Sequence, residues 1–296
     1  MGQSRITPDH IDHYREHGYV IVRNFLTPQE MKKVKDDLRV ESPQWVEYCE
    51  DPSRPKPDGG QFNFVPGRGV TRFPFKGPSL NHVGFHPELR QFASDMAGGN
   101  EVFCEQSNLN VKCKGHPRDT DQAFHCDYGN HTLAYPPDLP EYAQTAFIVY
   151  YTDVDLDHAP TAVCSQRHYP ESLRWPSHYT REERPELYDN EVKITVPAGS
   201  LFAYSMRTFH RGTPFLKEAG RIVHFITYAP AAWKWMGIVG WSVEAIRPAF
   251  RTWIEAATPE ERTALGFPPP GHSYWTDETR EGVSARYPGM DMSPYE

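Results

Sequence analysis

The chain has 296 residues, 38% of them hydrophobic, and a formal net charge of -8; it is long enough to bury a sizeable core, and its acidic balance excludes a nucleic-acid role built on a concentrated basic surface. No apolar run reaches the roughly eighteen residues that span a bilayer, and no membrane partner is expected. Five scattered cysteines, Cys49, Cys104, Cys113, Cys126 and Cys164, include no Cys-x-x-Cys pair and fit reduced thiols; with no signal-peptide segment after Met1, a cytoplasmic protein is expected.

In chain order, Thr7-Pro8 opens a first helix that Gly18 ends, and Tyr19–Val22 reads as a strand. Thr27-Pro28-Gln29-Glu30 is a capping box for a helix with Met31, Val34 and Leu38 on one face. Residues 51–80 are rich in Pro, Gly and cations (Arg54, Lys56, Arg68, Arg72, Lys76) and form a long loop. It is either solvated surface or a substrate lid whose cations meet an anionic substrate. Another amphipathic helix carries Leu89, Phe92 and Met96 and stops at Gly98-Gly99.

From Phe103 to Cys113 the pattern alternates, and one face collects Gln106, Asn108, Asn110 and Lys112. That face either meets water or lines a cavity. Ala146–Tyr151 reads as a buried strand. Val192–Val196 and Leu201–Tyr204, joined by the turn Pro197–Ser200, read as a hairpin leading to His210. Arg221–Tyr228 is a strand with Arg221, Val223, Phe225 and Thr227 on one face and a structural His224 on the other. Residues 230–296 form a helical extension with a capping box at Thr258. Its Trp233, Trp235 and Trp241 serve as core, as a substrate wall or as a dimer contact.

The chemistry concentrates at Phe124-His125-Cys126-Asp127-Tyr128. In an extended strand, residues i and i+2 share a face, so His125 and Asp127 present an imidazole nitrogen and a carboxylate to one point. His-x-Asp alone arises by chance in a chain with fourteen histidines, so a third ligand is required. His210, at the exit of a predicted strand, completes two imidazoles and one carboxylate, the facial set suited to non-haem Fe(II) and oxygen. Eleven positions later, Arg221 opens a strand with a permanently charged fork suited to a carboxylate, the place for 2-oxoglutarate. His86, His116, His131, His158, His178 and His272 are read as ordinary surface or core residues, and the sequon Asn130-His131-Thr132 as coincidence. Zinc-protease, nucleophile-elbow, Walker and dinucleotide motifs are absent from the sequence.

This combination resembles the phytanoyl-CoA dioxygenase-like family of Fe(II)/2-oxoglutarate-dependent oxygenases. The likeness runs from Ile6-Thr7-Pro8 to at least Tyr228 and touches the tail Leu265–Gly271. The chain departs from the family at Ser165-Gln166-Arg167-His168, where a Pro-Gly-Ser-His turn is usual, and at Ser200, where Asp is usual. The resemblance implies Fe(II) on His125, Asp127 and His210, 2-oxoglutarate on Arg221 with Asn110 and Gln106 as further contacts, and O2 as co-substrate. It also implies oxidation of an unactivated C–H bond of a small molecule, with succinate and CO2 as co-products. Hydroxylation is the expected outcome; desaturation, cyclisation or epimerisation by the same chemistry is the alternative, and a non-catalytic metal- or ligand-binding barrel the alternative from another class.

Many short strands, N-terminal helices and no Rossmann alternation predict a mainly β fold with flanking α. The expected form is a double-stranded β-helix, a cupin-like jelly roll with the N-terminal helices packed on one sheet, as a single domain over 1–296. Neither the substrate nor the oligomeric state follows from the sequence.

Overall fold

The N-terminal elements form where their caps place them. Helix α1, Pro8–His17, begins at Thr7, whose N–H donates to His10 Nδ1 at 3.1 Å, and ends at Gly18, which sits at φ 78° and donates to Tyr14 O. Helix α2, Pro28–Glu41, has a reciprocal capping box in which Glu30 N donates to Thr27 Oγ1 and Thr27 N to Glu30 Oε2. Helices α3 (Pro43–Glu50), α4 (Pro78–Gly84) and α5 (Pro87–Met96) follow. Of these only α5 has an apolar stripe long enough to be read from the sequence; α3 and α4 are short and begin at prolines. The computed structural model describes residues 4–57, 70–127, 131–132, 136, 138–169, 178–233, 236–237, 240–241 and 247–296.

Among the described residues the strands are β1 (Tyr19–Val22), β2 (Val70–Arg72), β3 (Val102–Cys113), β4 (Phe124–His125), β5 (Thr145–Tyr150), β6 (Thr161–Cys164), β7 (His178–Tyr179), β8 (Glu191–Lys193), β9 (Leu201–Ser205), β10 (His210–Gly212) and β11 (Gly220–Pro230). They build two antiparallel sheets, one in the order β1-β9-β5-β11-β3-β2 and one in the order β7-β4-β10-β6-β8. This is the predicted jelly roll.

Alternation along the strands separates two cores. Outward residues of the larger sheet, among them Leu109, Val149, Ile222 and Ile226, join Val34, Leu38, Leu89 and Phe92 of the helices in one cluster. Inward residues such as Ile148, Tyr150, Phe202, Tyr204 and Val223 join Phe124 and Val163 of the smaller sheet, and Phe209 just before β10, in a second. At the start of β11, Gly220 lets α3 approach closely, since a Cβ there would lie 2.7 Å from Cys49 Sγ and 3.0 Å from a Tyr48 ring carbon.

Three expectations change. Residues 192–196 and 201–204 are not a hairpin: β8 pairs with β6 in the smaller sheet and β9 with β1 and β5 in the larger one. The turn Pro197–Ser200 carries the chain between layers, as a jelly roll requires. The 51–80 segment is not one loop, because β2 and the start of α4 lie within it; its residues 58–69, like Trp235, lie outside the described residues. Strand β4 ends at His125, so Asp127 occupies a turn rather than the strand.

The C-terminal extension forms helices over Pro248–Ala256, Pro259–Ala264 and Asp277–Arg286, the second capped by the predicted Thr258-Glu261 box. Trp241 packs with Phe73 and Phe250, and Trp233 stacks on Tyr142 with centroids 4.5 Å apart. No helix among the described residues is long and apolar enough to cross a membrane.

Candidate active site

The site lies between the layers, where β4 and β10 pair. His210 stands directly opposite His125 in the register, and Asp127 turns back toward both. His125, Asp127 and His210 each offer a ligand atom, and these atoms all lie within 4.8 Å of one another. Each imidazole is held by its Nδ1, which bonds Ala123 O in His125 and Thr208 O in His210, both at 3.0 Å. A carbonyl accepts only from N–H, so Nδ1 carries a proton in both rings and Nε2 is the atom left to bind a metal.

Both Nε2 atoms face the carboxylate, His125 at 3.8 Å from Oδ1 and His210 at 3.4 Å from Oδ2. The Tyr204 hydroxyl donates to Asp127 Oδ2 at 2.9 Å and fixes its orientation. Burial alone would raise the Asp127 pKa, but the facing His210 and His125, with His131 and the Tyr204 bond, hold it down at about 2. Burial and the neighbouring His210 lower the pKa of His125. Two imidazoles whose Nε2 atoms face an ionised carboxylate form a donor set that, with both Nε2 deprotonated, would fit a divalent transition metal, and the backbone and Tyr204 bonds behind these three side chains are the usual outer support of such a site.

The predicted anion site lies on the inner face of the β3–β11 pair. Arg221 is buried there, its Nη1 donating to Ala159 O and its Nε without a hydrogen-bond partner. Burial lowers its pKa, and the facing carboxylate, Asp119, acts on it only through its charge, with no hydrogen bond between them. A buried guanidinium with an unused donor is costly unless an anion completes it.

Sequence reasoning grouped Lys112 with the polar face but gave it no role. It is the cross-strand partner of Arg221, it is buried, and its Nζ donates to Thr213 O at 3.0 Å. Burial, then Arg221, depresses the Lys112 ammonium to about 6. Arg221 and a lysine that is mostly neutral at pH 7, paired across one ladder with no bonded carboxylate among the described residues, form a basic pair able to take up an acid. The signal was the alternation itself, which placed a lysine on the same face as three amides.

That face lines the interior rather than meeting water. Asn110 pairs in register with Val223 and Gln106 with Thr227. Asn110 Oδ1 accepts from Arg118 Nη1, and Gln106 Oε1 accepts from Thr227 Oγ1 at 3.0 Å. Asn110 therefore sits two residues from Lys112, whereas Gln106 stands six away, at the last pair before the register shift. His224 is structural as read: fully buried on the outer face, it bonds Ser107 Oγ at 2.8 Å and Tyr151 OH at 2.9 Å.

A jelly roll with a His–Asp–His cluster able to hold a metal between its sheets and a buried basic pair beside it fits the class of Fe(II)- and 2-oxoglutarate-dependent oxygenases, and the chain is an enzyme of that class. Residues 14–223 match the model of the phytanoyl-CoA dioxygenase (PhyH) family, and the chain belongs to that family. No curated protein matches it in sequence.

Solved structures share the fold at low identity. The chain is similar to the non-heme alpha-ketoglutarate-dependent carbocyclase SnoK from nogalamycin biosynthesis (19% identity, 78% of this chain and 87% of that one, TM-score 0.55). It is similar to EctD from S. alaskensis in its apoform (13%, 81% and 84%, 0.59). It is also similar to HygX from Streptomyces hygroscopicus, crystallised with nickel and 2-oxoglutarate (11%, 76% and 86%, 0.53).

Proposed function

We propose that the chain, acting as a single domain over 1–296 with residues 230–296 as a helical extension, hydroxylates an unactivated C–H bond of a small-molecule substrate. In this reading His125, Asp127 and His210 hold Fe(II), while Arg221 and Lys112 hold the far carboxylate of 2-oxoglutarate, with Asn110 beside them and Gln106 farther along the same face. The observation that carries it is the meeting of two Nε2 atoms and an ionised carboxylate in one cluster, with the buried basic groups Arg221 and Lys112, neither bonded to a described carboxylate, on the adjoining face. When bound, Fe(II) with 2-oxoglutarate and O2 supplies the oxidising power, and succinate and CO2 are the co-products.

The protein's part is to position. Backbone carbonyls behind His125 and His210 set both tautomers, and Tyr204 holds the carboxylate. The inner cluster around Tyr150, Phe202 and Val223 keeps the interior dry, which strengthens every charge interaction within it. Relatives of the same fold include a carbocyclase and an epimerase, so cyclisation, desaturation and epimerisation are the alternative outcomes, distinguished by product analysis.

The test is anaerobic addition of Fe(II) and 2-oxoglutarate while watching for the visible charge-transfer band of bidentate chelation. The band forms in the unsubstituted protein and is lost in Arg221→Ala. Metal binding without a band overturns the reading.

A further inference from the structure

Strand β3 carries a second buried polar group, at the end away from Lys112. Thr227 pairs with Gln106 but Tyr228 with Cys104, so Glu105 is the extra residue of a β-bulge. Strict alternation would send Glu105 to the helix-covered face; the bulge re-aims it, as bulges beside active sites do. Glu105 is fully buried. Its Oε1 accepts from His131 Nδ1 at 3.1 Å and from Gln144 Nε2 at 3.0 Å, while its Oε2 has no hydrogen-bond partner. A half-satisfied buried carboxylate is a poor device for stability, since each unpaired group carries a desolvation cost. The cluster needs another reason.

That reason is His131. It lies four residues past Asp127, within reach of that carboxylate's charge, and its backbone is pinned by bonds from Gly237 N at 2.9 Å and Gln144 Nε2 at 3.4 Å to its carbonyl. Its Nδ1 is committed to Glu105, and no described residue bonds its Nε2. An imidazole oriented by a buried carboxylate, with its far nitrogen unused, is how proteins aim a histidine at a ligand. Along β3 the cluster lies seven residues from Lys112, roughly 23 Å at strand rise. The ladder thus has a cationic end for the co-substrate and a separate carboxylate–imidazole end.

We infer that His131, held by Glu105 and Gln144, is a substrate-facing specificity residue whose Nε2–H donates to a hydroxyl or carbonyl oxygen of the substrate. The inference rests on the proposed oxygenase reading and deepens it: the substrate is an oxygenated organic molecule, and this contact decides which C–H bond faces the metal. Burial lowers the His131 pKa, but the Glu105 carboxylate outweighs it and raises the value above that of ordinary imidazole, which keeps a proton on Nε2 for donation. Glu105 is a positioning residue that acts through the ring.

The experiment uses the full chain loaded with Zn(II), a diamagnetic stand-in for iron, and 2-oxoglutarate, with isotope-labelled histidine and three probes: cyclohexanol, cyclohexanone and methylcyclohexane. The oxygenated probes shift the His131 Nε2 resonance and bind about tenfold tighter or more than methylcyclohexane, the worth of one hydrogen bond from a charged donor. His131→Phe loses that preference. Glu105→Gln, which keeps shape and hydrogen bonding, weakens it while leaving thermal stability and the Fe(II)–2-oxoglutarate charge-transfer band in place. A His131 resonance unmoved by saturating cyclohexanone, or a preference retained in His131→Phe, overturns the inference alone. Absence of the charge-transfer band in the unsubstituted protein overturns the oxygenase reading as well.

Discussion

His125 and His210 are direct partners across the antiparallel pair of β4 and β10, with ring centroids 4.5 Å apart. Residues opposite one another in such a pair share a face, so one register element sets two of the three candidate ligands. Removing either should dismantle the set: His210→Ala should weaken Fe(II) or Co(II) binding by more than about 100-fold, measured by anaerobic calorimetry. Tight stoichiometric metal binding by the variant would exclude the assignment.

Tyr204 reaches Asp127 from the other sheet, and its only described bond is to Oδ2. Tyr204→Phe keeps the ring, which is buried against Phe202, but frees the carboxylate to rotate. Metal affinity should fall by about 10- to 100-fold, the usual effect of losing a partner behind a ligand, with little change in the urea midpoint. Unchanged affinity would show that backbone geometry alone orients Asp127.

Lys112 should couple 2-oxoglutarate binding to proton uptake. Its pKa in the free protein is depressed to about 6 by burial and by Arg221, and an incoming carboxylate raises it. Above pH ~6 the free protein is mostly neutral at this site, so binding draws in a proton and affinity falls by up to about tenfold per pH unit as pH rises. Calorimetry of the metal-loaded protein in buffers of different ionisation enthalpy should show this uptake, and Lys112→Met should abolish it. Buffer-independent heats in the unsubstituted protein would rule out the coupling.

His224 should make the fold acid-sensitive. Burial lowers its pKa to about 3, so in the native state it stays neutral while an unfolded chain protonates near pH 6.5. A depressed native pKa means stability is intact above the unfolded value and is lost as pH falls toward the native one, at roughly 1.4 kcal/mol per pH unit. Denaturant melts between pH 7 and about 4 should show this slope, reduced in a His224→Gln variant that folds. A slope unchanged by the substitution would place the acid sensitivity elsewhere.

Much of this site could be read locally. His-x-Asp, the later His210 and the alternation that puts Arg221 inward and His224 outward are short-range facts of residue chemistry and strand period. The capping boxes at Thr27 and Thr258 likewise act within one turn. What the tertiary structure alone decided are meetings between residues remote in sequence: the register that sets His210 opposite His125, the Tyr204 hydroxyl arriving from the second sheet, and Lys112 stacking on Arg221. The placement of β8 and β9 in different layers, where local turn chemistry read as a hairpin, belongs with these. So does the bulge at Glu105, which breaks the two-residue period on which any reading of strand faces depends. Periodicity states which face a side chain takes; only the pairing of distant strands states what it meets there.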